Sequence, residues 1–139
     1  MSEIPKILLV EDNQDDKDLA LLAIESSGAR CEVEIARDGV EALELLFGKS
    51  KLPRLVILDL KMPKLSGLEV LEAMRKDLRT KYVPVVVLTS SAEKRDLADA
   101  YAFGATSYIR KPIDLEDFNR VMAGVCSYWL LWNEVAPIT

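Results

Sequence analysis

The sequence predicts an α/β fold, a three-layer sandwich built on one doubly wound, parallel five-stranded sheet. Three observations predict it. Five short apolar runs alternate with amphipathic stretches, giving the order βαβαβαβαβα. Two of the runs, ILLV at 7–10 and LVIL at 55–58, are apolar without a break, the habit of strands covered on both faces. Four of the runs end in charged or hydroxyl side chains, and in such sheets ligands bind outside the carboxyl ends of the strands.

Each element has its own justification. After the first strand come Glu11, Asp12 and Asn13. Asn13 can cap a helix whose first turn, Gln14, Asp15 and Asp16, suits the positive end of the dipole. Residues 18–24 are dense in Leu and Ala, and Ser26, Ser27 and Gly28 end that helix. EVEIA at 32–36 alternates polar and apolar, as a strand nearer a sheet edge does. Asp38-Gly39 is a turn, and Val40, Ala42, Leu43, Leu46 and Phe47 space out as a second helix closed by Gly48. Pro53 and Pro63 bound the third strand and the loop after it. Leu68, Leu71, Met74 and Leu78 then recur three or four apart on a third helix. A strand over 83–88 ends in Thr89, Ser90 and Ser91, and a helix over 93–103 is closed by Gly104. A last strand over 106–110 stops at Lys111-Pro112, and Asp114 caps a final helix running to about Trp132.

Composition narrows the function. The 139 residues suit one domain with a real core. A net charge of −5 argues against nucleic acid, and the absence of an 18-residue apolar run argues against a membrane span. Two cysteines without metal spacing point to a reducing cytoplasm. With no histidine at all, Ser-His-Asp and Cys-His machinery and His-ligated zinc are excluded, which leaves oxygen ligands and a hard cation as the main metal option.

A lone Asp after a strand is ordinarily a turn starter or helix cap. What singles out Asp59 is its company. In a parallel sheet Glu11, Asp12, Asp59, Thr89 and Lys111 all converge on one edge. Three clustered carboxylates repel, so they persist if their pKa values rise or if something cationic offsets them; Lys111 can supply one charge and a divalent cation the rest. Magnesium, which accepts carboxylates, waters and phosphate oxygens, is the expected ion. A free carboxylate, a lysine, a hydroxyl and such a cation are the parts of phosphoryl transfer, with Asp59 as the nucleophile.

The chain resembles the receiver domain of two-component response regulators. LLVED at 8–12, ARDGVEAL at 36–43, LVILDLKMP at 55–63, SGLEVL at 66–71, PVVVLTSS at 84–91 and GATSYIRKP at 104–112 carry the resemblance. It implies the flavodoxin-like strand order 2-1-3-4-5. It also implies Asp59 as phosphoacceptor, and Glu11, Asp12, Asp59 and the Lys61 carbonyl around magnesium, with Glu11 acting through water. Lys111 then binds the phosphate, Thr89 with Ser90 supplies the switch hydroxyls and Tyr108 the switch aromatic, and the Lys111–Pro112 peptide is cis. Read without the resemblance, Tyr108 is equally a surface tyrosine and Thr89 a helix cap. Glu11 stands where the family more often has Asp. The expected function is that of a single-domain regulator, a phosphoacceptor rather than an enzyme. It would be phosphorylated by a sensor histidine kinase or phosphotransfer protein and would lose the phosphate by its own magnesium-dependent chemistry.

Residues 1–126 are expected to form the receiver and 127–139 an aromatic extension with no output domain. Tyr128, Trp129 and Trp132, with Phe103 on the fourth helix, are the expected homodimer surface; a tail folded onto its own domain is the other reading. The ending YWL…NE…P is similar to that of regulators paired with phytochrome-type kinases, which makes such a kinase the expected donor. A haloacid-dehalogenase-type phosphatase needs a second Asp where Lys61 stands, and an FMN carrier needs a phosphate loop where EDNQDD stands. The rival in another class is an adaptor with the same fold that never receives phosphate.

Overall fold

A computed structural model describes residues 4–48, 51–112 and 114–137 of the chain. Five parallel strands, β1 (Lys6–Val10), β2 (Glu32–Ala36), β3 (Leu55–Leu58), β4 (Val85–Thr89) and β5 (Ser107–Arg110), pair in the order β2-β1-β3-β4-β5. Five helices connect and follow them: α1 (Gln14–Ser26), α2 (Gly39–Phe47), α3 (Gly67–Lys76), α4 (Lys94–Ala102) and α5 (Leu115–Ser127). The expected fold and strand order are those observed.

Successive side chains of a strand point to opposite faces, and this divides the core. Ile7 and Leu9 join Ile57, Val86 and Leu88 under α1 and α5. Leu8 and Val10 join Val56, Leu58 and Val87 under α2, α3 and α4. The inner strands therefore carry unbroken apolar runs, 7–10, 55–58 and 85–88, because both faces are covered, while β2, an edge strand, keeps its alternation.

The helix starts are written locally. Asn13 Oδ1 accepts from Asp16 N, Asp38 from Glu41 N, and Asp114 from Glu116 N and Asp117 N. Ser66 and Glu69 form a reciprocal capping box at α3.

Three expectations need correction. Leu78 continues the spacing of α3 but lies outside it and is 80% exposed. The helix stops because buried Thr80 donates its hydroxyl to the Met74 carbonyl at 2.7 Å, taking an acceptor at the helix end. The last helix does reach Trp132, but beyond Ser127 it widens into one π-type turn, Tyr128–Trp132. No peptide bond among the described residues is cis, so the expected cis Lys111–Pro112 bond is not found; trans is the lower-energy isomer unless packing demands otherwise.

Candidate functional site at the carboxyl edge of the sheet

Register builds the site. Val10 pairs with Leu58, so the residues that follow, Glu11 and Asp59, leave adjacent strands at the same level. Asp59 N donates to the Val10 carbonyl at 3.1 Å, Glu11 N to that of Ala36 at 3.0 Å, and Lys111 N to that of Thr89 at 2.8 Å. The ladder is thus extended by one bond at three of the strand ends that carry chemistry. These side chains project from the rigid sheet and not from free loops.

Carboxylate oxygens of Glu11, Asp12 and Asp59 all lie within 4.8 Å of one another. Three hard oxygen donors at this spacing fit a divalent cation. Glu11 is buried, Asp12 exposed and Asp59 between them, its side chain 12% exposed. Asp59 is therefore held yet reachable. Its Oδ1 accepts from Lys61 N at 3.3 Å. Gly67 closes the site from below: a Cβ there would meet the Asp59 carbonyl at 2.5 Å and Leu60 Cα at 2.8 Å.

Lys111 is the resident cation. Its Nζ donates to Glu11 Oε2 and Asp16 Oδ2, each at 3.1 Å, and stands 4.0 Å from Asp59 Oδ2. Burial opposes its charge, but the Glu11 and Asp59 carboxylates and the bonds to Asp16 and Glu11 outweigh burial and raise its pKa. Glu11 goes the other way for a carboxylate. Burial, with Asp59 beside it, pushes its pKa up to about 7 despite the Asn13 N–H and Lys111. Asp59 contributes to both shifts, second to burial at Glu11 and alongside Glu11 at Lys111.

Among the described residues none of the expected switch side chains hydrogen-bonds Asp59. Thr89 is buried, its Oγ accepting a long 3.4 Å bond from Ser91 N. Ser90 is exposed. The Tyr108 ring is half-buried against the α2–α3–α4 side of the core, and its hydroxyl donates to the Ser91 carbonyl at 3.2 Å. Ser91 Oγ donates to Asp96 in the first turn of α4, and Lys61 Nζ lies 3.7 Å from the same carboxylate oxygen.

Asp16 and Asp96 thus belong to the network with Ser91, although sequence reasoning gave neither acid a role in the site. For Asp16 a signal existed. If Asn13 caps α1, Asp16 occupies the third helical position, one turn from the strand-end pair. For Asp96 there was none, since its partner Lys61 comes from a different loop.

The extension divides. Leu130 is buried, Trp129 packs on the α1–α5 side of the core, and Arg54 donates to the Leu130 carbonyl at 3.1 Å. Val135 and Ala136 line a groove with Ile4, Pro53, Tyr82 and Pro84 beneath the amino ends of the strands. Tyr128, Leu131 and Trp132 remain exposed, as does Phe103. Phe103 follows α4, on the opposite face of the sheet from α5, so the two could form one surface only across the β5 edge.

Comparison with known proteins agrees with this geometry. The family model for the response regulator receiver domain matches residues 7–123. The chain is 43% identical over 131 residues to the probable methanogenesis regulatory protein FilR2 of Methanothrix harundinacea, covering 91% of this chain and 84% of that one. The solved structure of the phosphorylated cyanobacterial phytochrome response regulator RcpA superposes with a TM-score of 0.90 at 34% identity, covering 97% and 100% of the two chains. The Mn(2+)-bound form of response regulator Rcp1 superposes with 0.87 at 33% identity, covering 96% and 99%. With its acids, lysine and buried threonine at the strand ends, the chain belongs to the response regulator receiver domain family.

Proposed function

We propose that this receiver accepts a phosphoryl group on Asp59 from a sensor histidine kinase, of the phytochrome type, or from a phosphotransfer protein. The observation that carries the reading is the placement of Asp59, a reachable carboxylate 4.0 Å from the Lys111 ammonium and within 4.8 Å of two further acids. A carboxylate oxygen attacks phosphorus, the phosphorus–nitrogen bond to the donor breaks with its electron pair going to the ring nitrogen, and the donor ring, already protonated on its other nitrogen, leaves as neutral imidazole. Lys111 neutralises the transferring oxygens. Magnesium held by Glu11, Asp12 and Asp59, with the Lys61 carbonyl, supplies further charge neutralisation when bound. The phosphorylated form of RcpA and the Mn(2+)-bound form of Rcp1 support both parts of the reading. Water ends the signal by hydrolysing the aspartyl phosphate in the same site.

The new phosphoryl oxygens draw the Thr89 hydroxyl, which now only accepts from Ser91. The Ser91 segment follows, and Tyr108 loses its present acceptor. The α4–β5–α5 surface changes as a result. Residues 1–126 act as the receiver and 127–139 as its dimerising extension, through the outward-facing Tyr128 and Trp132, with Trp129 turned onto its own domain. The exposed leucines 19 and 115 line or flank a cleft between α1 and α5 that opens on Asp59, and they suit a docking donor helix.

The test is incubation with magnesium and acetyl phosphate, followed by intact mass measurement. One phosphoryl adduct is expected on the unchanged protein and none on Asp59→Asn. No adduct from acetyl phosphate or from any kinase would leave the phosphate-independent adaptor as the reading.

A further inference from the structure

We propose that Asp16 is a positioning residue for Lys111: it draws the ammonium off Asp59 and so keeps the three-carboxylate site open to a divalent cation. The proposal rests on the reading of Glu11, Asp12 and Asp59 as a cation site and goes one step beyond it.

The geometry is that of a shared ammonium. Lys111 Nζ is 3.1 Å from Glu11 Oε2 and 3.1 Å from Asp16 Oδ2, but 4.0 Å from Asp59 Oδ2. Two of its three carboxylate neighbours would hold the metal. Without Asp16, the ammonium would have only those two to pair with. It would settle between them as an internal counterion, competing with any cation for the same oxygens.

Asp16 itself stands outside the group of acids whose oxygens converge. Its place is set by the helix start, where its backbone N–H donates to the Asn13 side chain at 2.9 Å. Its side chain is 41% exposed. That exposure makes the anchor releasable. When a phosphoryl group arrives on Asp59, the ammonium can leave Asp16 for water-solvated exchange and reach the new oxygens from a position already beside them.

Asp15 is the internal control. It sits on the same first turn with the same charge, is exposed, and its side chain makes no hydrogen bond or ion pair among the described residues. Neutralising it reports the loss of a bare charge near the site, and nothing more.

The experiment is a magnesium titration of the full chain by calorimetry, in the unchanged protein, Asp15→Asn, Asp16→Asn, Lys111→Met and the two pairings of Lys111→Met with the Asn variants. Loss of an outer partner typically weakens metal affinity by 10–100-fold, so Asp16→Asn should raise the magnesium Kd about ten-fold. Asp15→Asn should change it far less. In the Lys111→Met background the Asp16 effect should shrink to the size of the Asp15 effect. The magnesium needed for half-maximal phosphorylation by acetyl phosphate should rise by the same factor in Asp16→Asn. An Asp16 effect that persists in full without Lys111, or that never exceeds the Asp15 effect, overturns the role of Asp16 alone. Failure of the unchanged protein to bind magnesium overturns the cation site and this proposal together.

Discussion

At Glu11 the fold holds an acid where its charged form is disfavoured. Its carboxyl is buried, faces Asp59, and is pushed from an ordinary value of 4.5 up to about 7. A carboxyl with a raised folded-state pKa binds protons more readily folded than unfolded. Its contribution to stability is complete below about pH 4.5 and is lost as pH rises through about 7. We therefore expect urea midpoints of the metal-free protein, measured with a chelator present, to fall across that window. Glu11→Gln, which keeps the shape and removes the titration, should flatten the profile; a slope unchanged by the substitution would locate the effect elsewhere. The same residue shows what a sequence can disclose at this scale. Glu11, Asp12, Asp59, Thr89 and Lys111 were legible because each ends an apolar run, and the sheet makes run ends converge. Asp16 and Asp96 were not, because each sits in a helix's first turn, where an acid is already explained by the dipole. Only the distances to Lys111 and Lys61 give them a second role.

Between residues and the whole stand the joints where a strand hands its side chain to the site. The joint after β3 is tight. Gly67 N donates to the Leu60 carbonyl at 3.0 Å, and any Cβ would strike backbone atoms of Asp59 and Leu60. Overpacking against atoms that cannot swing away costs about 1–3 kcal/mol. Gly67→Ala should lower stability by that much in denaturant titration and slow phosphorylation of Asp59, whereas Ser66→Ala, which only breaks the capping box, should cost about 1 kcal/mol and leave the rate alone. The joint after β4 is loose by comparison. Ser91 is tied to Asp96 and Tyr108 by side chains, and Asp96 to Lys61 across the mouth of the site. Asp96→Ala should speed amide exchange over residues 91–95 while leaving the β4 core protected; unaltered exchange there would show that the side-chain ties do not restrain the loop. Element identities were legible from periodicity and caps. The end of α3 was not, because Thr80, six residues beyond Met74, stops it by a bond that spacing does not reveal.

At the scale of the molecule the unexplained surface is apolar. The fourth helix exposes Leu97 and Tyr101, one turn apart, with Phe103 just beyond, and the widened turn after α5 exposes Tyr128, Leu131 and Trp132. The tail folds onto its own domain only in part. Leu130 and Trp129 fold back onto the domain, while their neighbours on the same turn face out. Spacing on a regular helix does not predict that division, because a π-type turn carries more residues per turn than the 3.6 on which a helical face is read. It also changes the experiment. Deleting residues 127–139 would remove buried Leu130 and the carbonyl that Arg54 holds, so a monomer obtained that way could reflect damage to the fold. Leu131→Glu with Trp132→Glu alters only residues that are 77% and 75% exposed. If this surface joins two copies, light scattering should give twice the monomer mass for the unchanged protein and the monomer mass for the double variant, with denaturation midpoints at low concentration alike. A mass that is the same for both proteins would mean that the outward half of the extension serves no self-association, and the apolar edge would then have to be assigned to a partner of another kind.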